Sequence, residues 1–532
     1  MSNINPNQLP ITTKDPFLIT TPLFYVNAKP HMGSAYTTMA VDALHRFYHL
    51  LGMNSILLTG CDEHGEKIAQ AALTLNRDPQ SHCDLISNEF IELWKLLNIS
   101  KENFKFIRTT SDHHQKIVKE FFTRVWNNGD IYKSEYNGIY CTGCEEYKDK
   151  TELISNDLCP IHQKQCIERT EENYFFALSK YQRVLEEFYE QNPDFILPLD
   201  RRNEVKAWMK SGLRDFSVSR AQNPWGIPVP QDDSQTIYVW FDALVGYLSG
   251  LLEPNMTLSD LMETKSGWPA QVHVIGKDIL RFHALYWPAM LISAGLPVPE
   301  RIFGHGFLTK DGMKMGKSLG NVLEPNALID SYGSDAVRYY FLKTLEFGKD
   351  GDFNETRFVD LINADLANSL GNLMNRSLNL LKKNCQSTFT IGADEIEHDH
   401  QLRILTQECV ELSRNAYLRM DFSEACSCLM KIVYEANAEI DRIAPWTLLK
   451  SEETRKEAEK CLVCVLEAAR IVSTGLSPIV PELNRRVYAA LGFDDAIVSN
   501  LEWKRDLKWG FIKKSQQFPV PKPIFPRIDT KT

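Results

Sequence analysis

The sequence predicts an α/β protein in two parts: a parallel-sheet domain carrying a small cysteine-rich insertion, followed by an all-α helix bundle. Three observations predict it. The extended apolar run FLITTPLFYV (17–26) passes through a tight loop into the helical pattern AYTTMAVDALHRFYHLLG, and a second strand-like run, NSILLTG, follows at 54–60. A Cys-x-x-Cys pair and a Cys-x-x-His pair lie between residues 141 and 162. From about residue 361 the apolar residues fall almost wholly at helical spacing, as in DLANSLGNLMNRSLNLLKK and DFSEACSCLMKIVYEANAEI.

A chain of 532 residues exceeds one hydrophobic core, so several domains are expected. With 43% hydrophobic and 24% charged residues, the composition is that of a soluble globular protein. No stretch approaches 18 uncharged apolar residues, and MSNINPNQLPITTKD has neither a basic nor an apolar signal region, which excludes a predicted membrane span or secretory signal. The expected location is cytoplasmic. There, the cysteine cluster reads as metal binding rather than as disulfides. A net charge of −10 argues against a surface coated by polyanion, but a local basic face is compatible with it and RNA is not excluded.

The loop NAKPHMGSAYTTM (27–39) joins the first strand to the first helix. In a parallel sheet such a loop lies at the carboxyl end of a strand, where ligands bind, and the helix start offers free N–H groups to phosphate. Gly33 permits close backbone approach, and His31 can donate to an anionic oxygen. The second strand runs into CDEHGEK, so Asp62, Glu63 and His64 crowd another strand end; a carboxylate such as Asp62 suits a substrate ammonium group. Far downstream, GHGFLTKDGMKMGKSLG (304–320) carries Lys310, Lys314 and Lys317 on a glycine-rich loop with a DG turn. Lysines there can stabilise charge on a departing pyrophosphate.

Cys141-x-x-Cys144 and Cys159-x-x-His162 supply four ligands at the spacing of a closed, structural zinc knuckle, with Cys166 as a fifth candidate. Cys461-x-x-Cys464 reads instead as helical core cysteines. In YVWFDALVGYLSG, Trp240, Ala243, Leu244 and Tyr247 share one helical face; such an aromatic stripe serves either as core or as a pocket wall suited to a thioether. Asn372 and Arg376 stand i, i+4 on one helix, and Trp446 follows Pro445 at a helix start, an arrangement that can stack and read an unpaired base. In the tail, Trp509, Phe511, Val520 and Phe525 are expected to pack back on the body.

P-H-M-G-S after the first strand and K-M-G-K-S in the distant loop together resemble the HIGH and KMSKS signatures of class I aminoacyl-tRNA synthetases. YVNAKPHMGSAYTT, LTGCDEHGEKI, YVWFDALVGY, VIGKDILRFH, GHGFLTKDGMKMGKSLGN and GSDAVRYYF resemble the methionine-specific family within that class. The similarity runs from Phe17 into the helical C-terminal third. It implies a Rossmann-like catalytic domain at 16–125 and 236–303, split by a connective insertion at 126–235 with its zinc knuckle at 141–166. A KMSKS-loop linking domain at 304–360, a helix-bundle anticodon-binding domain at 361–505 and a C-terminal tail at 506–532 would follow. The implied reaction joins L-methionine to ATP with Mg2+, releasing pyrophosphate, and passes the methionyl group to tRNA(Met), initiator tRNA included.

The same resemblance implies roles for individual residues. His31, Gly33, Gly276, Asp278, Lys314 and Lys317 would bind ATP, with His31, Ser34, Lys314 and Lys317 acting in catalysis. Leu23, Tyr25, Asp62, Trp240, Ala243, Tyr247, Ile279 and His283 would hold methionine, and Asn372, Arg376 and Trp446 the CAU anticodon. One structural Zn2+ would sit on Cys141, Cys144, Cys159 and His162 in an insertion that orients the tRNA acceptor end. A monomer is expected, because the chain ends before a further dimerising domain. Two positions depart from the signatures: Ser34 replaces the second histidine of HIGH, and Gly316 the central serine of KMSKS. Either the Ser34 hydroxyl acts directly on the transition state, or a water or neighbouring side chain does. Competing readings are a nucleotidyltransferase making a free adenylate, a synthetase for another amino acid, and a zinc-bearing RNA-binding protein without catalysis. The paired ATP elements, the helix bundle and the lack of a long editing insertion favour the methionine enzyme.

Overall fold

The strand Phe17–Tyr25 lies inside a six-stranded parallel sheet in the computed structural model, which describes residues 16–141, 146–148, 150, 153–154, 157–160, 164–221, 225–264, 266–315 and 321–529. The spatial order is Phe104–Arg108, Ser55–Asp62, Phe17–Tyr25, Val272–Gly276, Ile302–His305 and Ile196–Leu197. Ile19 pairs with Leu57 on one side and Val272 on the other, all in parallel register. From the strand 17–25 the chain builds outward in one direction and later resumes on the opposite side. This reversal opens a crevice at the carboxyl ends of the strands 17–25 and 272–276, the place where open α/β sheets bind ligands.

Side-chain alternation along the strand explains why helices cover both faces. Phe17 and Ile19 pack with Met39, Leu44 and Phe47 of the helix Met32–Leu50, whereas Leu18 packs into a second core with Phe121, Leu244 and Tyr247. The segment expected as a connective insertion is a four-stranded sheet in which Ile131–Cys141 pairs antiparallel with Ile167–Phe176. Within that same segment Ile196–Leu197 returns to the main sheet beside Ile302–His305, so the stretch 126–235 also contributes an edge strand to that sheet.

The linking region folds as a small sheet of Leu308–Lys310, Met313–Lys314 and Gly351–Phe353, followed by the helices. Asp42 and Arg338 form a fully buried ion pair of 2.6 Å between the helices Met32–Leu50 and Ser334–Thr344, and Arg338 also donates to the Pro478 and Ile479 carbonyls. One guanidinium thus ties a helix of the parallel-sheet region, the helix Ser334–Thr344 and the segment after Arg455–Leu476. Gln401–Leu418, Phe422–Ile443 and Arg455–Leu476 pack as the core of the bundle. The tail docks through buried Glu467, which accepts from the Gly510, Phe511 and Ile512 N–H groups and pairs with Arg470. Trp509, Ile512, Phe518 and Ile524 are its buried anchors and Phe511 and Phe525 are half-buried; Val520, expected to pack, is 64% exposed. No helix among the described residues is long and apolar enough to cross a membrane.

Candidate active site at the carboxyl ends of the parallel strands

His31 caps the helix Met32–Leu50: its Nδ1 accepts from the Gly33 N–H at 3.0 Å. Ser34 closes the reciprocal half of a capping box, its Oγ accepting from the His31 N–H at 3.1 Å and donating to the His31 carbonyl at 2.8 Å. The imidazole folds over Gly33 so closely that a Cβ there would sit 2.8 Å from His31 Cε1. A side chain at this joint would displace the imidazole from the cap. Ser34 is buried, and in this arrangement its hydroxyl serves the loop geometry.

Across the crevice, Gly276 ends the strand Val272–Gly276, and a Cβ at that position would meet Asp278 Oδ1 at 2.4 Å. Both glycines make room for a polar side chain two positions away that faces the same strand ends. Behind His31, Thr37 lies 2.7 Å from His305 Nε2, while His305 Nδ1 donates to the Gly306 carbonyl at 2.8 Å. Burial pulls the His305 imidazole down to about 4, so it is neutral and accepts from Thr37.

The residues expected to hold methionine lie at two strand ends, on the helix Val239–Ser249 and on the helical turns that follow the strand Val272–Gly276. Tyr25 pairs in register with Asp62, which is buried at the end of Ser55–Asp62. Trp240, Ala243 and Tyr247 lie on the helix Val239–Ser249; Leu23 packs against Gly246, where a Cβ would meet its Cδ1 at 2.3 Å. His283 lies in a widened π turn, Phe282–Tyr286, a helix irregularity frequent at functional sites. Its Nδ1 donates to the Ile279 carbonyl at 3.0 Å, which leaves Nε2 to accept from the Tyr247 hydroxyl at 2.8 Å. Burial draws His283 down to about 4 and raises the Tyr247 phenol, so both stay neutral. Trp240 stacks on Phe282 at 4.0 Å, and His273 stacks on Tyr247 at 4.2 Å.

A buried carboxylate network supports this wall; of its members the sequence marked only His64, at the end of the second strand. Asp242 accepts from His64 Nδ1 at 2.7 Å and from His114 Nε2 at 2.6 Å, and His114 Nδ1 in turn lies 2.7 Å from the Ser249 hydroxyl. Burial alone would raise Asp242, but the two imidazoles hold it down to about 2. Its signal in the sequence was a lone acid on the otherwise apolar helix VWFDALVGYL. Glu63, next to Asp62, is fully buried and pairs with Arg108 Nε at 2.7 Å.

The downstream lysine loop starts from a tight hairpin. Lys310 pairs with Met313 around Asp311 and Gly312, both at positive φ (52° and 75°), the geometry of a type I′ turn. The backbone of Lys314 pairs with Thr309, while Gly316 and Lys317 lie outside the described residues. Lys277, beside Asp278, forms an ion pair with Asp350 at 2.6 Å and so links the crevice to the small linking sheet.

Two further predicted clusters stand apart from the crevice. Cys141, Cys159 and Cys166 are buried together with Ile139 and form no disulfide, a donor set that fits a thiolate-bound zinc; Cys144 and His162 lie outside the described residues. In the bundle, the Arg376 guanidinium lies 5.5 Å from the Trp446 ring centre and is held by Asp441 at 2.6 Å. Trp446 is 39% exposed, and Asn372 is exposed one helical turn before Arg376. Ala444, in the left-handed region at φ 49°, breaks the helix and directs Pro445 and Trp446 toward Arg376.

The family model described as tRNA synthetases class I (M) matches residues 17–155 and 144–378. The chain is 54% identical over 514 residues to the chloroplastic/mitochondrial methionine–tRNA ligase of Arabidopsis thaliana, covering 96% of this chain and 83% of that one. It is 51% identical to the methionine–tRNA ligase of Nostoc sp., covering 96% and 97%. Its structure superposes on Mycobacterium tuberculosis methionyl-tRNA synthetase in complex with methionyl-adenylate with a TM-score of 0.90 at 36% identity, covering 96% of this chain and all of that one. A crevice at the sheet reversal, a neutral aromatic and imidazole pocket beside it and similarity along nearly the whole length agree: the chain belongs to the methionine–tRNA ligases, within the class I tRNA synthetases.

Proposed function

We propose that this chain activates L-methionine with ATP and transfers the methionyl group to tRNA(Met), and that the residues assembled at the strand ends do so in the following way. The observation that carries the reading is the juxtaposition of the His31 and Asp278 loops with the Tyr247–His283 pocket at one sheet reversal. Methionine places its thioether against the apolar and aromatic faces of Leu23, Tyr25, Trp240, Ala243, Tyr247 and Ile279, where sulfur–ring contacts are favourable. Asp62 holds the ammonium group, which fixes the carboxylate toward the crevice.

ATP lies across that crevice, its ribose at Gly276 and Asp278 and its phosphates at the Gly33 backbone and His31. Attack of the methionine carboxylate on the α-phosphorus forms the mixed anhydride and expels pyrophosphate. His31, Lys314 and Lys317 stabilise the charge that grows on the leaving group, and positioning supplies much of the remaining rate. Magnesium, bound with ATP, supplies further neutralisation of phosphate charge. In this reading Ser34 acts through the His31 cap, where its hydroxyl bonds the His31 N–H and carbonyl, and contributes positioning. The terminal tRNA ribose then attacks the methionyl carbonyl and releases AMP.

The exposed Trp446 face with Arg376 and Asn372 supports a role in reading the anticodon. Cys141, Cys144, Cys159 and His162 would hold one structural zinc. The chain acts as a monomer in this reading, supplying initiator and elongator methionyl-tRNA in the cytoplasm. Charging of tRNA(Met) with labelled methionine, compared with the same tRNA carrying a substituted anticodon, tests the full reaction. Charging that ignores the anticodon, or esterifies another amino acid, contradicts it.

A further inference from the structure

Three helices of the bundle bring together a set of side chains that the synthetase chemistry does not use. His400 caps the start of Gln401–Leu418, Glu439 lies near the end of Phe422–Ile443, and Cys464 sits in the middle of Arg455–Leu476. The His400 Nε2, one Glu439 oxygen and the Cys464 Sγ all lie within 4.8 Å of one another. Cys464 is fully buried and Glu439 is 5% exposed, whereas the His400 side chain retains 18% exposure and leaves a path to solvent.

The spacing is informative. His400 Nε2 is 3.6 Å from Glu439 Oε1 and 3.8 Å from Cys464 Sγ. An imidazole bonded to a carboxylate would close to about 2.7–3.2 Å. Bond lengths at a tetrahedral zinc place its ligand atoms about 3.3–3.8 Å from each other. The His400–Cys464 contact is a long sulfur hydrogen bond and the His400–Glu439 pair a loose ion pair, and both distances also match the separation of ligands around a common centre. A thiolate and a carboxylate together neutralise a dication, and the mixed sulfur, nitrogen and oxygen donors favour a borderline-soft metal over magnesium or calcium.

We propose that His400, Glu439 and Cys464 form a binding site for a divalent cation of the zinc class, with the fourth corner open to water. Neither Cys461 nor Cys464 is then mere core filling: Cys461, one turn earlier on the same helix, flanks the site. The cation would brace the end of Phe422–Ile443, where Asp441 holds Arg376 against Trp446. It is separate from the Cys141 cluster, and the test distinguishes the two.

The full chain and its variants are dialysed against Zn2+, then against metal-free buffer, and their zinc content per chain is measured along with the zinc-dependent shift in Tm. Wild type is expected to retain one equivalent more than Cys464→Ser, whatever the Cys141 cluster holds, and to lose part of its Tm on chelation that Cys464→Ser never gains. His400→Gln, at a partly exposed helix start where the core is not disturbed, is expected to weaken that equivalent at least about tenfold. Methionine-dependent pyrophosphate exchange should be unchanged in both variants. Equal zinc content and equal Tm response in wild type, Cys464→Ser and His400→Gln would overturn the proposal.

Discussion

The Tyr247 hydroxyl donates to His283 Nε2 across 2.8 Å, and the His283 ring is turned to receive it by its own Nδ1–H bond to the Ile279 carbonyl. Tyr247→Phe keeps the ring and removes the donor, leaving a buried acceptor unpaired at a cost of about 1–3 kcal/mol. If the pair shapes the methionine pocket, the KM for methionine rises about tenfold or more while the KM for ATP changes little. Steady-state exchange kinetics check it; an equal rise in both constants would locate the pair outside the amino-acid site.

Gly33→Ala is expected to displace His31, because the new methyl would sit 2.8–2.9 Å from two ring atoms. The adenylation rate should fall by about a hundredfold, the scale of a misplaced catalytic group. Ser34→Ala removes half of the capping box and should lower stability by about 1 kcal/mol, with a smaller loss of rate. Rate and Tm measured on both variants separate the two roles. A Ser34→Ala enzyme of unchanged stability that has lost adenylation would show that the hydroxyl acts on the transition state.

Acid should destabilise the fold through its buried histidines. Burial draws His45, His283 and His305 down to about 4 from an ordinary 6.5, so the unfolded chain binds more protons between these values. Their contribution is complete above about pH 6.5 and is lost progressively as pH falls toward 4. Urea midpoints across this window should fall with pH, and His305→Gln should flatten the slope.

Arg338→Leu removes the cation from a wholly buried pair and leaves Asp42 with Arg46 and the Ser100 N–H. The loss should be about 3 kcal/mol or more, read from the denaturant midpoint. Because Arg338 also holds the Pro478 and Ile479 carbonyls, tRNA charging should suffer more than adenylation.

Much of this site was legible in the sequence because its chemistry is local. The strand–loop–helix at His31, the DG hairpin at 311–312 and the i, i+4 pair Asn372 and Arg376 each follow from adjacent residues. What could not be read depends on distant ones. Asp242 looked like one acid in an apolar helix until His64 and His114, 178 and 128 residues away, closed on it. Ile196–Leu197 is too short to announce itself as a strand, and only pairing with Ile302–Phe303 makes it one. Ser34 was read from its place in a signature, which carried no sign of the bonds its hydroxyl makes to the His31 N–H and carbonyl. The Cys464 cluster likewise needed three helices to be packed before its histidine and glutamate came into reach.

The most direct test of the central claim is amino-acid-dependent exchange of labelled pyrophosphate into ATP, with methionine, homocysteine, cysteine, leucine and isoleucine compared in one panel. A pocket closed by Tyr247 and His283 beside the His31 crevice predicts exchange strongest with methionine. Homocysteine, one methyl shorter, should be activated less efficiently by about 1–3 kcal/mol of transition-state binding. Exchange driven equally by leucine or isoleucine, or absent with every amino acid in the presence of ATP and magnesium, would contradict the account.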